Sequence, residues 1–108
     1  MVQHRLHPRD AMAIASNARG PCVLLFTVDS SPVCARFRAA MVEAARERHM
    51  VVVDVDARAQ MDVIEQLGVR HVPSGVLFVD GQRLGPVHAE ARPGAIKAVI
   101  ARMRLAAP

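Results

Sequence analysis

Two cysteines, Cys22 and Cys34, are the strongest candidates for chemistry in this 108-residue chain. Cys34 ends the tetrapeptide Ser31-Pro32-Val33-Cys34, in which a hydroxyl and a thiol are separated by two residues. Thiol–disulfide exchange needs an exposed thiolate that attacks and a second thiol that resolves the mixed disulfide. A serine cannot form a disulfide, and its hydroxyl ionises too reluctantly to replace a thiolate. The tetrapeptide therefore offers half of a redox pair.

Each of these residues also has a purely structural interpretation. Ser31 precedes Pro32, and serine before proline is typical of a helix N-cap followed by the first helical position. Cys34 can be a small buried apolar side chain, as many free cysteines are. Cys22 opens an apolar run far from the tetrapeptide, which favours a filling role in the core. The fold is expected to hold the two thiols apart.

Composition favours one packed domain spanning residues 1–108. Apolar residues make up 52% of the chain and charged residues 22%, a balance typical of a globular protein. No apolar stretch approaches the roughly 20 residues that span a bilayer, so no contact with a membrane is expected. The first residues have no apolar core that could serve as a signal peptide. A cytoplasmic, reducing location is therefore expected.

Charge and histidine content argue against two further classes of protein. The formal charge is +4, but the basic residues are dispersed, and the chain has no Trp or Tyr to stack on bases. Nucleic-acid binding is therefore not expected. The five histidines lie without a cysteine or carboxylate at ligand spacing, so neither a metal site nor another cofactor is expected.

The pattern of apolar and turn residues predicts an alternation of helices and strands. The run after Gly20-Pro21 is continuously apolar, as in a strand covered on both faces. Strand, helix and strand within about 35 residues form a βαβ unit with parallel strands. Asp80-Gly81 suits the tight turn of an antiparallel hairpin. The predicted helices cover residues 8–18, 32–49, 58–67 and 93–105, and the predicted strands cover residues 22–28, 50–56, 76–79 and 82–87.

This order of elements resembles the thioredoxin family over nearly the whole chain. Three stretches carry the resemblance: Leu24-Leu25-Phe26 leading into the tetrapeptide, the strand Val53-Asp54-Val55-Asp56, and the segment from Leu67 through Pro73 to Gly81. The last of these looks like the family segment that ends in a cis-proline before the hairpin. The resemblance implies an α/β, thioredoxin-like fold with a central mixed β-sheet flanked by helices on both faces.

The resemblance also shows what the chain lacks. Ser31 stands at the attacking cysteine of the family, and Cys34 stands at the resolving cysteine, which the family fold shields. The family's buried aspartate matches Leu25, and a nearby lysine matches Val52. The tryptophan before the motif is replaced by Ser30. These departures imply that the chain is not an ordinary dithiol reductase.

Pro73 is the feature that the resemblance preserves. The family keeps a cis-proline there, and the backbone of the preceding residue, Val72, is free to pair with an extended peptide. Pro32 lies on the other side of this groove. Arg70 and His71 would flank the groove, and Arg36 and Arg38 at the start of the next helix would make its rim basic.

Three functional hypotheses follow from the resemblance. The first is a redox-deficient module that holds a protein or peptide client, or a thiol-bearing partner, in the groove between Ser31 and Pro73. The second is a monothiol oxidoreductase, in which Cys34 forms mixed disulfides with glutathione or a protein, or Ser31 hydrogen-bonds a glutathione thiolate. The third is a structural subunit of an assembly.

Overall fold

The computed structural model describes residues 2–6, 8–28, 31–58 and 61–107, with no side-chain description for residues 2–6, 8 and 61–63. Strands and helices alternate along the first two thirds of this part of the chain, and a hairpin and a helix complete it. The elements are β1 (Val2–Leu6), α1 (Pro8–Asn17), β2 (Pro21–Thr27), α2 (Pro32–Arg48), β3 (Val51–Asp56), α3 (Met61–Gln66), β4 (Ser74–Val79), β5 (Gln82–Pro86) and α4 (Pro93–Ala106).

The strands form one mixed sheet in the order β1-β3-β2-β4-β5. Strand β3 pairs in parallel with both β1 and β2, which confirms the βαβ unit predicted around α2. Strand β4 runs antiparallel to β5, as the predicted hairpin requires, and it also runs antiparallel to β2. The most buried strands, β2, β3 and β4, therefore lie side by side in the middle of the sheet.

Helices cover both faces of the sheet, as predicted. On one face, α1 and α3 pack against alternate side chains of the central strands, including Leu24, Phe26, Val53 and Val55. On the other face, α2 and α4 pack against the side chains in between, including Val23, Leu25, Val52 and Leu77. Because successive strand residues point to opposite faces, a continuous apolar run is what two covered faces require.

The structure differs from the predicted elements at two places. Strand β1 was not predicted, and it pairs with β3, which lies far along the chain. The third helix was predicted to begin at Arg58, but Arg58 lies in a turn. The Asp56 side chain accepts a hydrogen bond from the Arg58 N–H at 3.0 Å, a local bond that favours a turn over a helix. The predicted residues 59 and 60 lie outside the described residues.

The turn between β4 and β5 explains why Gly81 is a glycine. Asp80 and Gly81 have φ values of 51° and 80°, the positive values that this tight hairpin turn requires. A Cβ atom at Gly81 would also collide with the backbone carbonyl of Ser16 at the end of α1. Within the described residues, no helix is both long and apolar enough to cross a bilayer.

Candidate functional site

Ser31 caps the N-terminus of α2. Its backbone is extended, with φ −99° and ψ 114°, and its hydroxyl accepts a hydrogen bond from the Cys34 N–H at 3.2 Å. Pro32 occupies the first turn, where its missing N–H costs nothing. The structure therefore gives Ser31 the capping role that its position before proline indicates, and Ser31 also holds the first turn that carries Cys34.

The two thiols are free and buried on different elements. Cys34, on α2, is 2% exposed, and Cys22, on β2, is fully buried. Cys22 packs with Leu24 and Phe26 on the face covered by α1 and α3, whereas α2 covers the other face. Burial raises the pKa of the Cys22 thiol to about 11. Cys22 is therefore a filling residue of the core, and the two cysteines are held apart as expected.

The loop before β4 and the start of α2 lie at the same edge of the sheet. The peptide bond between Val72 and Pro73 is cis, and β4 begins at the next residue, Ser74. Ser74 is the register partner of Phe26 near the end of β2. Because these strands are antiparallel, the residues that follow β2 and those that precede β4 emerge at the same edge. The fold thus brings the Ser31–Cys34 tetrapeptide and the Arg70–Pro73 loop to one side of the molecule.

Apolar side chains are exposed at this edge. Among the described residues, three large hydrophobic side chains are exposed: Val33 at 51%, Val72 at 38%, and Leu105 near the end of α4. Val33 belongs to the tetrapeptide and Val72 to the loop before Pro73, so two of these three side chains lie at this edge. The other predicted binding residues at this edge are exposed or half-buried, namely Pro32, Arg70, His71 and Pro73.

Arg83 holds the segment that leads from α3 into the Arg70–Pro73 loop. Its guanidinium, reaching over from β5, donates a hydrogen bond from Nη2 to the backbone carbonyl of Leu67 at 2.6 Å. That carbonyl lies just past α3, where a cation is favoured by the negative end of the helix. Gly68 follows with a φ of 78°, and its N–H donates to the Glu65 carbonyl at 2.9 Å. No signal in the sequence predicted this role for Arg83.

A buried polar cluster lies beneath α2. The Thr27 hydroxyl donates to Asp54 Oδ1 at 2.8 Å, and Arg38 Nη2 lies 2.6 Å from Asp54 Oδ2 and 3.4 Å from Thr27 Oγ1. The Asp54 side chain is 2% exposed and that of Arg38 is 33% exposed. Asp54 Oδ2 and Arg38 Nε are both buried, and neither forms a hydrogen bond within the described residues. The contact at Oδ2 is therefore an ion pair without hydrogen-bond geometry. An ion pair therefore joins α2 to β3 at the edge of the core.

This cluster corrects the expected basic rim. Arg38 was placed on the rim with Arg36, but its guanidinium turns inward to Asp54, whereas Arg36 is exposed. The sequence contains one signal for this arrangement. Asp54 interrupts an apolar strand at a position facing α2, and a buried carboxylate requires a partner.

Metal ligands are not grouped in the described part of the chain. No set of three or more His, Cys, Asp or Glu side chains in those residues could hold a metal ion. The chemistry available at the edge is therefore that of a capping hydroxyl, a buried thiol, exposed apolar groups and arginines.

Solved structures with the same architecture include thioredoxins from three organisms. A single-residue mutant of thioredoxin from Halobacterium salinarum superimposes with a TM-score of 0.79 at 20% identity, covering 99% of this chain and 94% of the other. Oxidised thioredoxin from Plasmodium falciparum gives 0.74 at 18% identity, covering 94% and 97%. Thioredoxin from Fasciola hepatica gives 0.71 at 17% identity, covering 94% and 98%. These similarities establish the thioredoxin-like fold.

Sequence comparison points to the same family. No curated protein matches the sequence significantly. The family model described as Thioredoxin matches residues 9–102, which is most of the chain and includes the tetrapeptide, Pro73 and the hairpin. This match, together with the mixed sheet flanked by helices on both faces, shows that the chain belongs to the thioredoxin family.

Proposed function

We propose that this protein is a redox-deficient thioredoxin-like module that holds an extended protein or peptide segment between the start of α2 and the loop before β4. The observation that carries the proposal is the exposure of Val33 and Val72 at one edge of the sheet. Exposed apolar groups that share one edge are typical of a surface that contacts another molecule.

The backbone of the loop supports the same interpretation. In the described part of the chain, the hydrogen bonds of loops and turns include none to the backbone of Arg70, His71 or Val72. Unpaired N–H and C=O groups at an exposed segment can pair with a second, extended chain, as in binding by strand addition. Such pairing supplies affinity without fixing the sequence of the partner.

The tetrapeptide supports binding over catalysis. Ser31 is a helix cap, and Cys34 is 2% exposed, so the site presents no accessible thiolate to attack a disulfide. In a reducing compartment, the two thiols would remain as free as they are in the structure. The partner would therefore be held by contacts alone.

Selection from random peptides tests the proposal directly. Peptides of about ten residues, selected on the purified protein and labelled with a fluorophore, should bind with micromolar affinity. Val33→Asp and Val72→Asp should each weaken binding about tenfold, because each places a charge in an apolar contact. Leu105→Asp is the matched control, since Leu105 is also exposed but lies near the end of α4. Selected peptides that bind both groove variants as well as the control would contradict the proposal.

The basic rim adds a second readout. Arg36 and Arg70 are exposed at the two sides of the proposed groove. Reversing both to Glu should weaken the binding of acidic peptides and reduce the salt dependence of their affinity. Affinity and salt dependence that both stay unchanged would show that the two arginines belong to ordinary surface.

Glutathione chemistry is the alternative that one observation favours. The Ser31 hydroxyl accepts the Cys34 N–H, so its own proton remains available to donate to a thiolate at the helix N-terminus. Mass spectrometry after incubation with glutathione disulfide tests the form of this alternative in which Cys34 itself reacts. A mixed disulfide that forms rapidly on Cys34 in the native protein would replace the binding module by a monothiol enzyme.

A further inference from the structure

A cavity of about 690 Å³ lies beside the Arg70–Pro73 loop, on the side of α3. It is bounded by the ends of β2 and β3, by α3, and by residues 69–72 of the loop. Ala57, Ile64 and Val69 form its most buried walls, each at most 6% exposed, and the exposed side chain of Val72 stands at its edge. The volume falls within the range of cavities that bind small ligands.

The edge of this cavity is basic. Arg58, Arg70 and His71 line it, and among the described residues that line it Glu65 is the one carboxylate. The ion pairs found among the described residues include neither Arg58 nor Arg70, and both side chains are exposed. An apolar interior with two exposed arginines outside these ion pairs at its edge is complementary to an apolar group that carries a negative charge close by.

We infer that this cavity is a specificity pocket, which takes a bulky apolar side chain of the bound segment while Arg58 and Arg70 face a neighbouring carboxylate of the same segment. The inference rests on the proposed function, because Val72 belongs both to the groove and to the edge of the cavity. A segment paired with the Val72 backbone would have alternate side chains on the side of α3, where the cavity opens.

Small probes test the pocket independently of peptide binding. N-acetyl-phenylalanine carries a ring and a carboxylate, its amide keeps only the ring, and N-acetyl-alanine keeps only the carboxylate. Titrations followed by NMR should show saturable shifts of the Ala57, Val69 and Val72 amides with the first probe. The amide should bind about three- to fivefold more weakly, the size expected for charges at an exposed rim. N-acetyl-alanine should show no saturation.

Variants separate the pocket from the rest of the surface. Arg58→Glu and Arg70→Glu should each weaken N-acetyl-phenylalanine binding about three- to fivefold. Arg102→Glu, an equal charge change on the exposed surface of α4, should leave binding unchanged. Ala57→Leu should abolish binding by filling the cavity. If the Ala57→Leu variant does not fold, the arginine variants still test the pocket, because they alter exposed side chains.

Two results would overturn the inference. One is the absence of saturable shifts at the three amides, and the other is equal affinity of the three probes. A different result is expected if the proposed peptide binding in the groove is wrong. If N-acetyl-phenylalanine binds as described while no selected peptide responds to Val33→Asp or Val72→Asp, the proposed function is wrong and the cavity is a site for a small aromatic acid.

Discussion

Asp54 lies directly beside Leu25 in the sheet, as its register partner on the neighbouring parallel strand. Leu25 occupies the position at which the thioredoxin resemblance implies a buried aspartate. The chain therefore lacks the expected carboxylate on β2 but has a buried carboxylate, Asp54, on β3. Asp54 pairs with Arg38 of α2, whereas the resemblance implies a lysine partner at the position that Val52 occupies. A buried charge therefore lies under α2 on β3, beside the position at which the resemblance implies one.

Removing this carboxylate should destabilise the protein. Asp54→Asn leaves Arg38 without its ion pair, and breaking a buried pair costs about 3–5 kcal/mol. Because Arg38 is one-third exposed and can turn to water, we expect a loss at the lower end of this range or below it. Urea unfolding measures the free energy of unfolding, and Asp56→Asn, at the half-buried end of the same strand, is the control.

A double variant shows whether the Arg38–Asp54 ion pair contributes net stability or only offsets the cost of burying its two charges. In a Thr27→Val background, which removes the hydroxyl that donates to Asp54, Asp54→Leu combined with Arg38→Met should recover most of the stability lost in Asp54→Asn, since apolar residues often replace a buried ion pair without cost. A double variant as unstable as the single one would show that the pair itself stabilises α2 on the sheet.

Local signals in the sequence predicted most of the fold. The apolar run of β2, the proline at the start of α2 and the Asp80-Gly81 turn each act over a few residues, and each element formed where its signal lies. Strand β1 and the inward turn of Arg38 were missed because both depend on β3, a partner distant in sequence. The cavity beside Val72 was missed for the same reason, since four separate segments enclose it.

Cys22 should make stability fall at alkaline pH. Burial raises the pKa of its thiol from 9.0 to about 11, so above pH 9 the unfolded chain loses a proton that the folded protein keeps. The free energy of unfolding is therefore undiminished below pH 9 and falls towards pH 11, by at most about 1.4 kcal/mol per pH unit. Cys22→Val, which has a similar volume and cannot ionise, should lose this part of the pH dependence. Identical alkaline profiles for the two proteins would contradict the assignment.

The N-cap of α2 should contribute measurably to stability. Ser31→Ala removes the acceptor for the Cys34 N–H and should lower the free energy of unfolding by about 1 kcal/mol. Ser31→Asn keeps a capping acceptor and should retain most of the stability. If both variants are equally unstable in urea, Ser31 stabilises the protein through contacts other than the cap.

Ser31→Cys should restore a disulfide without restoring a fast reductase. The new thiol would lie at the N-terminus of α2, where the helix dipole favours a thiolate, and the first turn places it next to the segment that carries Cys34. Under oxidising conditions we expect an internal disulfide between residues 31 and 34, detected by mass spectrometry as the loss of two of the variant's three thiols. Ser31→Cys with Cys34→Ala is the control, and free thiols at both residue 31 and Cys34 in oxidised Ser31→Cys would show that these positions do not form the family's pair.

Turnover of this variant should stay low because the acid–base groups are missing. Leu25 and Val52 cannot move protons, and the Asp54 carboxylate is engaged by Arg38 and Thr27. General acid–base catalysis contributes about 10²–10⁴-fold, so reduction of insulin by dithiothreitol should be accelerated far less than by a thioredoxin. Adding Leu25→Asp together with Asp54→Asn returns the carboxylate to β2 without placing two acids side by side, and it should raise the rate. Wild-type activity that survives Cys34→Ala would contradict the redox-deficient assignment.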